Sequence, residues 1–218
     1  PTAGAYRFDG NDWIVAGFQN GGLGSALPND GDVSVTFWAK KTGFGGVGSA
    51  GNFKNLFQGI DTGAGNLDND LAAFIDVDQK DQNFNMYDGN GVDLGRVHVP
   101  SGSVQLKDTW RHYAFILPHG SQATMYIDGN LMGTFTASNV NNATTAAIDA
   151  IIIGSDLDPN DDSTDVNDYD DFFSGSMSDF RIYKKELSHS EIYALYASPG
   201  QAASTTKIDG SRITTGEI

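Results

Sequence analysis

The chain contains no cysteine, and only three of its 28 acidic residues are glutamate: Glu186, Glu191 and Glu217. The absence of cysteine excludes disulfides, thiol redox catalysis and thiolate zinc sites. No long apolar run is present, so the sequence predicts no membrane-spanning helix, and the N-terminus shows no signal-peptide pattern. An initiating methionine is also missing, and we therefore expect a piece of a longer protein.

The charge balance restricts the partners. The formal net charge of −15 argues against nucleic acid and anionic membranes. Nearly all of the acid is aspartate, which is both a turn former and a calcium ligand. Two interpretations follow: turn chemistry combined with solubility, or one or more calcium sites.

Apolar and polar residues alternate at period 2 in many short stretches, which predicts β-strands. In residues 32–40, one face carries Val33, Val35, Phe37 and Ala39. Further strands are predicted at 55–60, 71–77, 83–88, 110–117, 123–128, 130–135 and 150–154. Residues 125–133 read as a hairpin closed at Asp128–Gly129, because both residues tolerate positive φ. The pattern predicts a β-sandwich, with Trp13, Trp38 and Trp110 expected in its core.

One short helix is predicted near the C-terminus. Ser188 and Glu191 have the spacing of a capping box, and Leu187 and Ile192 are placed to form a hydrophobic staple. Pro199 and the glycine after it end the helix. We expect this helix to cover one end of the sandwich.

Residues 156–173 form an acidic segment with eight aspartates in eighteen positions. Two carboxylates about 4 Å apart repel by roughly 1 kcal/mol in water, so the segment is either solvated or holds a cation. Asp156, Asp158, Asn160 and Asp162 fall at positions 1, 3, 5 and 7 of a calcium loop. Asp161 and Asn167 replace the glycine and the glutamate of an EF-hand, so the segment is not one.

The order of these pieces resembles the laminin G-like and pentraxin-like jelly rolls of the concanavalin A-like class. The resemblance rests on YRFDGNDWIVAG (6–17), DVSVTFWAK (32–40), DTWRHYAFIL (108–117), ATMYIDGNLMGTF (123–135) and the stretch 172–196. It implies an all-β antiparallel β-sandwich jelly roll with one short C-terminal helix. We expect this domain to span residues 1–198, with 199–218 forming a linker or the start of a following module.

The resemblance also implies a calcium ion. In pentraxins a strand ending in I-L-G leads into a calcium-holding loop, and Asp156 and Asp158 match its acidic positions here. An adjacent Asp-Asn pair supplies further ligands in that family, and Asp68 and Asn69 match it. With Asn160 and Asp162 from the loop spacing, these residues form the predicted calcium site. The cysteine pair of pentraxins is absent and the acidic segment is longer, so a pentameric ring does not carry over.

The C-terminal KIDGSRITTGEI (207–218) is similar to phrases of bacteriophage tail-fibre and other virion-appendage proteins. This similarity implies a jelly roll carried on a fibre. The alternative is a plain β-rich linker in a surface protein. The predicted location is therefore a virion appendage or an extracellular or cell surface.

A catalytic interpretation has little support in the sequence. Asp76 and Asp78 share a strand face about 7 Å apart, but the glutamates that glycoside hydrolases of this fold use are missing there. The histidines, including His112, show no zinc-binding spacing, and His112 is expected to be structural. We predict no catalytic residue and no enzymatic activity.

Glycan recognition is the remaining interpretation, because sugars are bound by aromatic faces and by Asp and Asn hydrogen bonds. The candidate ligand-binding residues are Tyr87, Asp88, Asn90 and Tyr169. The sequence thus predicts a calcium-dependent module that binds surface glycan, alone or with other fibre subunits. A structural or protein–protein module with a purely structural calcium stays open, and a glycoside-active enzyme is the weaker third alternative.

Overall fold

A computed structural model describes residues 4–16, 31–42, 53–60, 72–77, 82–87, 93–100, 106–135, 150–157 and 169–199. Its strands are β1 (Tyr6–Asp9), β2 (Ile14–Ala16), β3 (Val33–Lys41), β4 (Phe53–Ile60), β5 (Ala72–Val77), β6 (Gln82–Tyr87), β7 (Asp93–Val99), β8 (Arg111–Leu117), β9 (Thr124–Ile127), β10 (Asn130–Thr134), β11 (Ala150–Ile153), β12 (Asp156–Leu157), β13 (Tyr169–Asp170) and β14 (Ser174–Tyr183). The helix α1 spans His189–Ala197.

Two six-stranded sheets and a small ribbon make up the fold. The first sheet has the order β1-β14-β3-β8-β9-β10, and the second has the order β2-β11-β4-β5-β6-β7. β12 and β13 pair separately as a two-stranded ribbon. These strands pair antiparallel, which confirms the predicted β-sandwich jelly roll. Among the described residues, no helix has the length and apolar character needed to cross a membrane.

The core fills the space between the two sheets. The alternating face of β3 points into it as predicted, with Val33, Val35, Phe37 and Ala39 buried. The ring of Phe37 stacks on Tyr113 and Phe115 of the neighbouring strand β8 and meets Phe57 of the opposite sheet edge-on. Edge-to-face and offset aromatic pairs are favourable beyond the area they bury, so this cluster ties the sheets together.

The outer face of the first sheet lies under α1. The capping box is confirmed: the Ser188 side chain accepts from the Glu191 backbone N–H, and the Glu191 side chain accepts from the Ser188 N–H. Leu187 and Ile192 are both buried in a cluster with Ala114 and Ile116 of β8. The helix therefore covers the face of a sheet, not an end of the sandwich as the sequence suggested.

The prediction that the three tryptophans lie in the core is confirmed for Trp38 alone. Trp38 is buried and Trp110 is half-buried, but Trp13 is 39% exposed. Trp13 precedes β2, which is an edge strand of the second sheet. An edge strand has a neighbour on one side only, so a large side chain at its start keeps much of its surface in solvent.

Candidate functional site

The acidic segment begins directly after the buried strand β11. Gly154 makes the turn at φ 85°, a conformation that L side chains rarely adopt. Its N–H donates to the Leu56 carbonyl and its own carbonyl accepts from the Phe173 N–H. Two residues later, Asp156 is only 8% exposed. A carboxylate this deeply buried requires a charged or hydrogen-bonding partner.

Asp156 has a neutral donor on β4. The side-chain amide of Asn55 donates to Oδ1 of Asp156 at 3.4 Å. The Asn55 backbone N–H donates at 2.9 Å to the carbonyl of Asp171, which adopts a positive φ of 42°. Asn55 thus joins the two ends of the acidic segment to the second sheet.

The ribbon places acidic residues opposite one another. Asp156 pairs directly with Asp170, and Leu157 pairs with Tyr169. Like charges directly opposite on antiparallel strands are destabilising. The next acid, Asp171, lies 3.9 Å from Lys54 Nζ at its Oδ1. The backbone register therefore makes Asp156 and Asp170 a pair of opposed acidic positions, where a cation would be stabilising.

Two buried amides lie on the outer face of the second sheet. Asn55 pairs with position 74 on β5, and position 74 pairs with Asn85 on β6, so both asparagines share one face. Both are buried, and in the described part of the chain neither Oδ1 atom has a hydrogen-bond partner. An unsatisfied buried acceptor costs about 1–3 kcal/mol, so each oxygen calls for a cation or a donor from a ligand or water.

Tyr87 of β6 lies within electrostatic reach of the same carboxylate. Burial raises the pKa of the Tyr87 phenol, and the negative charges of Asp93 and Asp156 raise it further. The phenol therefore stays protonated at neutral pH and can donate or accept a hydrogen bond. Tyr87 is the predicted ligand-binding residue whose side chain the structure describes, and it interacts with Asp156.

The structure describes only some of the other predicted site residues. Tyr169 lies in the ribbon by its backbone, opposite Leu157. Asp68, Asn69, Asp158, Asn160, Asp162, Asp88 and Asn90 fall outside the described residues. Asp76 lies on β5 opposite Asn83, and Asp78 is also outside the described part.

Sequence reasoning missed Asn55, Asn85 and Asp170 as members of this region. A signal was present, since Asn55 and Gln58 are polar residues in the otherwise apolar stretch NLFQGI. Both are fully buried in the structure.

The donor set fits calcium, which takes carboxylate, amide and carbonyl oxygens in flexible geometry. Asp156 offers a buried carboxylate and Asn55, which contacts it, offers an amide oxygen, whereas Asn85 lies two strands from Asn55, roughly 10 Å away. Within the described ranges, no group of three or more His, Asp or Glu is close enough to hold a metal ion. Asp156 and the Asn55 amide could therefore supply only part of a calcium site.

His112 has the surroundings of a structural residue, as the sequence suggested. It is buried between Trp38 and Tyr196. Burial lowers its pKa to about 4, against the opposing effect of Asp128. Asp128 accepts from the His112 backbone N–H at 2.9 Å and also forms an ion pair with Arg111. His112 therefore stays neutral at physiological pH.

Comparison with known families agrees with this architecture. A laminin G-type family model, described as the concanavalin A-like lectin/glucanases superfamily, matches residues 9–193. The chain belongs to this superfamily. The match runs from the last residue of β1 through β14 to the middle of α1. No curated protein sequence matches the chain.

Solved structures share the fold at low sequence identity. A native heptameric SAP-like pentraxin from Limulus polyphemus aligns with a TM-score of 0.64 at 14% identity, covering 88% of this chain and 81% of the pentraxin. The binding domain of botulinum neurotoxin serotype D aligns at 0.58 and 18% identity, and the chain covers 42% of it. The same toxin's ligand-binding domain in complex with N-acetylneuraminic acid aligns at 0.57 and 17% identity, covering 88% of this chain and 41% of that one.

Proposed function

We propose that this concanavalin A-like domain is a non-catalytic module that binds surface glycan, with a calcium ion at the acidic segment. The observation that carries the proposal is the buried Asp156 carboxylate opposite Asp170, beside two buried amide oxygens that lack partners in the described part of the chain. A cation would relieve the repulsion, and sugar hydroxyls would supply donors to the amides.

The structural relatives support the class of ligand. A botulinum neurotoxin serotype D ligand-binding domain, 41% of which aligns with this chain, was solved in complex with N-acetylneuraminic acid, an acidic sugar. An acidic sugar would be repelled by the net charge of −15 unless a cation lay between them. A calcium ion that touches both protein and sugar would resolve this conflict.

The ligand set proposed for calcium is the predicted one, Asp68, Asn69, Asp156, Asp158, Asn160 and Asp162, with Asp170 added from the ribbon register. Tyr87, Asp88, Asn90 and Tyr169 remain the proposed sugar contacts. For the whole protein we propose a cell-surface adhesin or a virion fibre; the fibre rests on residues 207–218 alone.

A glycan array in calcium, repeated in excess EDTA, tests the proposal. We expect hits that disappear in EDTA. Asp156→Asn should abolish the same hits, whereas Glu186→Gln should not, because Glu186 is an exposed acid in the connection between β14 and α1.

Three results would contradict the proposal. Hits that persist in EDTA would separate the sugar from calcium. A blank array with calcium binding intact would favour the structural or protein–protein module. Turnover of a glycan that is lost in Asp76→Asn would establish the enzyme.

A further inference from the structure

Exposed apolar side chains are concentrated beside the acidic segment. Five large apolar residues are exposed in the described part of the chain: Tyr6, Trp13, Val15, Leu131 and Tyr193. The first three lie on or next to β1 and β2, which are edge strands of the two sheets. The opposite edge strands, β10 and β7, contact each other, so β1 and β2 lie on the same side of the sandwich. Exposed aromatic rings gathered at one rim indicate a contact surface more strongly than scattered ones.

The strand register brings Trp13 close to Asp156. β2 and β11 are antiparallel, and Ile14 pairs with Ile153. The residue before Ile14 therefore lies beside the residue after Ile153, which is Gly154. Gly154 is two residues from Asp156, so the indole lies next to the start of the ribbon.

Trp13 is also packed against the other end of the acidic segment. Its ring lies 6.1 Å from that of Phe172, with an interplanar angle of 42°. Phe172 follows Asp171 directly, and Phe173 packs edge-on against Phe8 of β1. The indole is thus held from one side while 39% of its surface is exposed.

We propose that Trp13, held by Phe172, is the platform on which the apolar face of a sugar ring stacks. The assignment deepens the proposed function and rests on it. A pyranose ring has C–H groups on its faces and hydroxyls at its edge, so it needs an aromatic surface beside polar acceptors and a cation. Trp13 and the start of the ribbon offer an aromatic surface and polar acceptors within a few residues of each other. An apolar peptide would satisfy the indole but not the neighbouring carboxylates and amides, so a sugar fits better.

The test uses the strongest glycan from the array and compares wild type with Trp13→Ala, Trp13→Phe and Tyr193→Ala in calcium. Tyr193 is the control, because it is an aromatic residue on α1, across the sandwich, that is even more exposed than Trp13. We expect the affinity to fall roughly tenfold in Trp13→Ala and less in Trp13→Phe. Tyr193→Ala should bind as wild type does. Glycan should also shift the tryptophan emission of wild type but not that of Trp13→Phe.

Calcium affinity, measured by calorimetry on the same variants, separates the platform from the metal. It should be unchanged in Trp13→Phe, whose melting temperature checks the fold. Glycan affinity unchanged in both Trp13 variants would overturn the platform and leave the proposed function standing. Loss of calcium affinity in Trp13→Phe would overturn it too, by showing that the ring supports the ribbon. A wild-type protein that binds no glycan would overturn the proposed function and the platform together.

Discussion

The outer face of the first sheet is sealed by α1, whereas the outer face of the second sheet carries the buried amides and the carboxylate of the candidate site. Both faces contain buried polar atoms that have no hydrogen-bond partner among the described residues. Beneath α1 these include Trp38 Nε1 and His112 Nδ1; on the second sheet they are Asn55 Oδ1 and Asn85 Oδ1.

The unsatisfied atoms of the two faces differ in whether they donate or accept hydrogen bonds. The indole N–H is a donor, and a neutral imidazole nitrogen can accept, so a single water could satisfy that pair. The amide oxygens and the Asp156 carboxylate are all acceptors, and only donors or a cation can satisfy them. The unsatisfied amide atoms of the second sheet are acceptors only, so a donor or a cation from outside the face would complete it, and on that basis we propose the second sheet as the binding face.

The largest expected effect comes from weakening the packing of α1 against the first sheet. Ile192 of α1 is fully buried against β8, and Ile192→Ala should lower the free energy of unfolding by about 2–5 kcal/mol. Urea denaturation measures the loss, with Tyr193→Ala as the exposed control. Because α1 lies across the sandwich from the ribbon, calcium affinity should be unchanged; a parallel loss of calcium affinity would show that the two faces are coupled.

The next effect acts on the turn that starts the acidic segment. A Cβ at Gly154 would lie 2.5 Å from the Phe8 ring, at a φ of 85°. Gly154→Ala should therefore cost about 1–3 kcal/mol for the backbone and a further 1–3 kcal/mol for overpacking. Gly120→Ala is the matched control, since Gly120 has φ 66° but open space around its Cβ position.

Thermal unfolding and calcium calorimetry distinguish the two glycine variants. Gly154→Ala should lose both stability and calcium affinity, whereas Gly120→Ala should lose only the stability that the backbone conformation costs. Equal losses of stability in the two variants would mean that the Phe8 contact does not constrain the turn.

The last prediction is a pH dependence of stability that arises from His112 beneath α1. The pKa of His112 is about 4 in the folded protein, below the ordinary value of 6.5. Between those values the unfolded chain binds the proton and the folded one does not. Stability should therefore fall as the pH falls from 6.5 to 4, by at most about 1.4 kcal/mol per pH unit.

Denaturation curves across that pH range test the assignment. His112→Gln should flatten the slope, and His119→Gln, which replaces an exposed histidine, should leave it unchanged. The opposite result, an unchanged slope in His112→Gln, would mean that another group carries the pH dependence.

Local signals explain what the sequence could predict. The Asp128–Gly129 hairpin, with φ of 52° and 75°, and the Ser188 capping box depend on neighbouring residues, and both are confirmed. The inward face of β3 follows from period 2 alone. β7 was missed, because Gly95 interrupts its apolar pattern.

The candidate site depended on contacts that no local pattern shows. Asn55 and Asp156 are 101 positions apart, and Asp170 faces Asp156 only through the ribbon register. Trp13 was expected in the core because tryptophan is large and apolar. Its exposure follows from the place of β2 at a sheet edge, which the strand order determines.

Calcium calorimetry on wild type, Asp156→Asn and Glu186→Gln tests the central claim most directly. We predict a calcium site in wild type that Asp156→Asn weakens more than the roughly tenfold that loss of an outer partner costs. Glu186→Gln removes the same charge from the connection between β14 and α1 and should bind calcium as wild type does. Equal affinity in wild type and Asp156→Asn, or no calcium binding in wild type, would contradict the assignment of the second sheet as a calcium-dependent binding face.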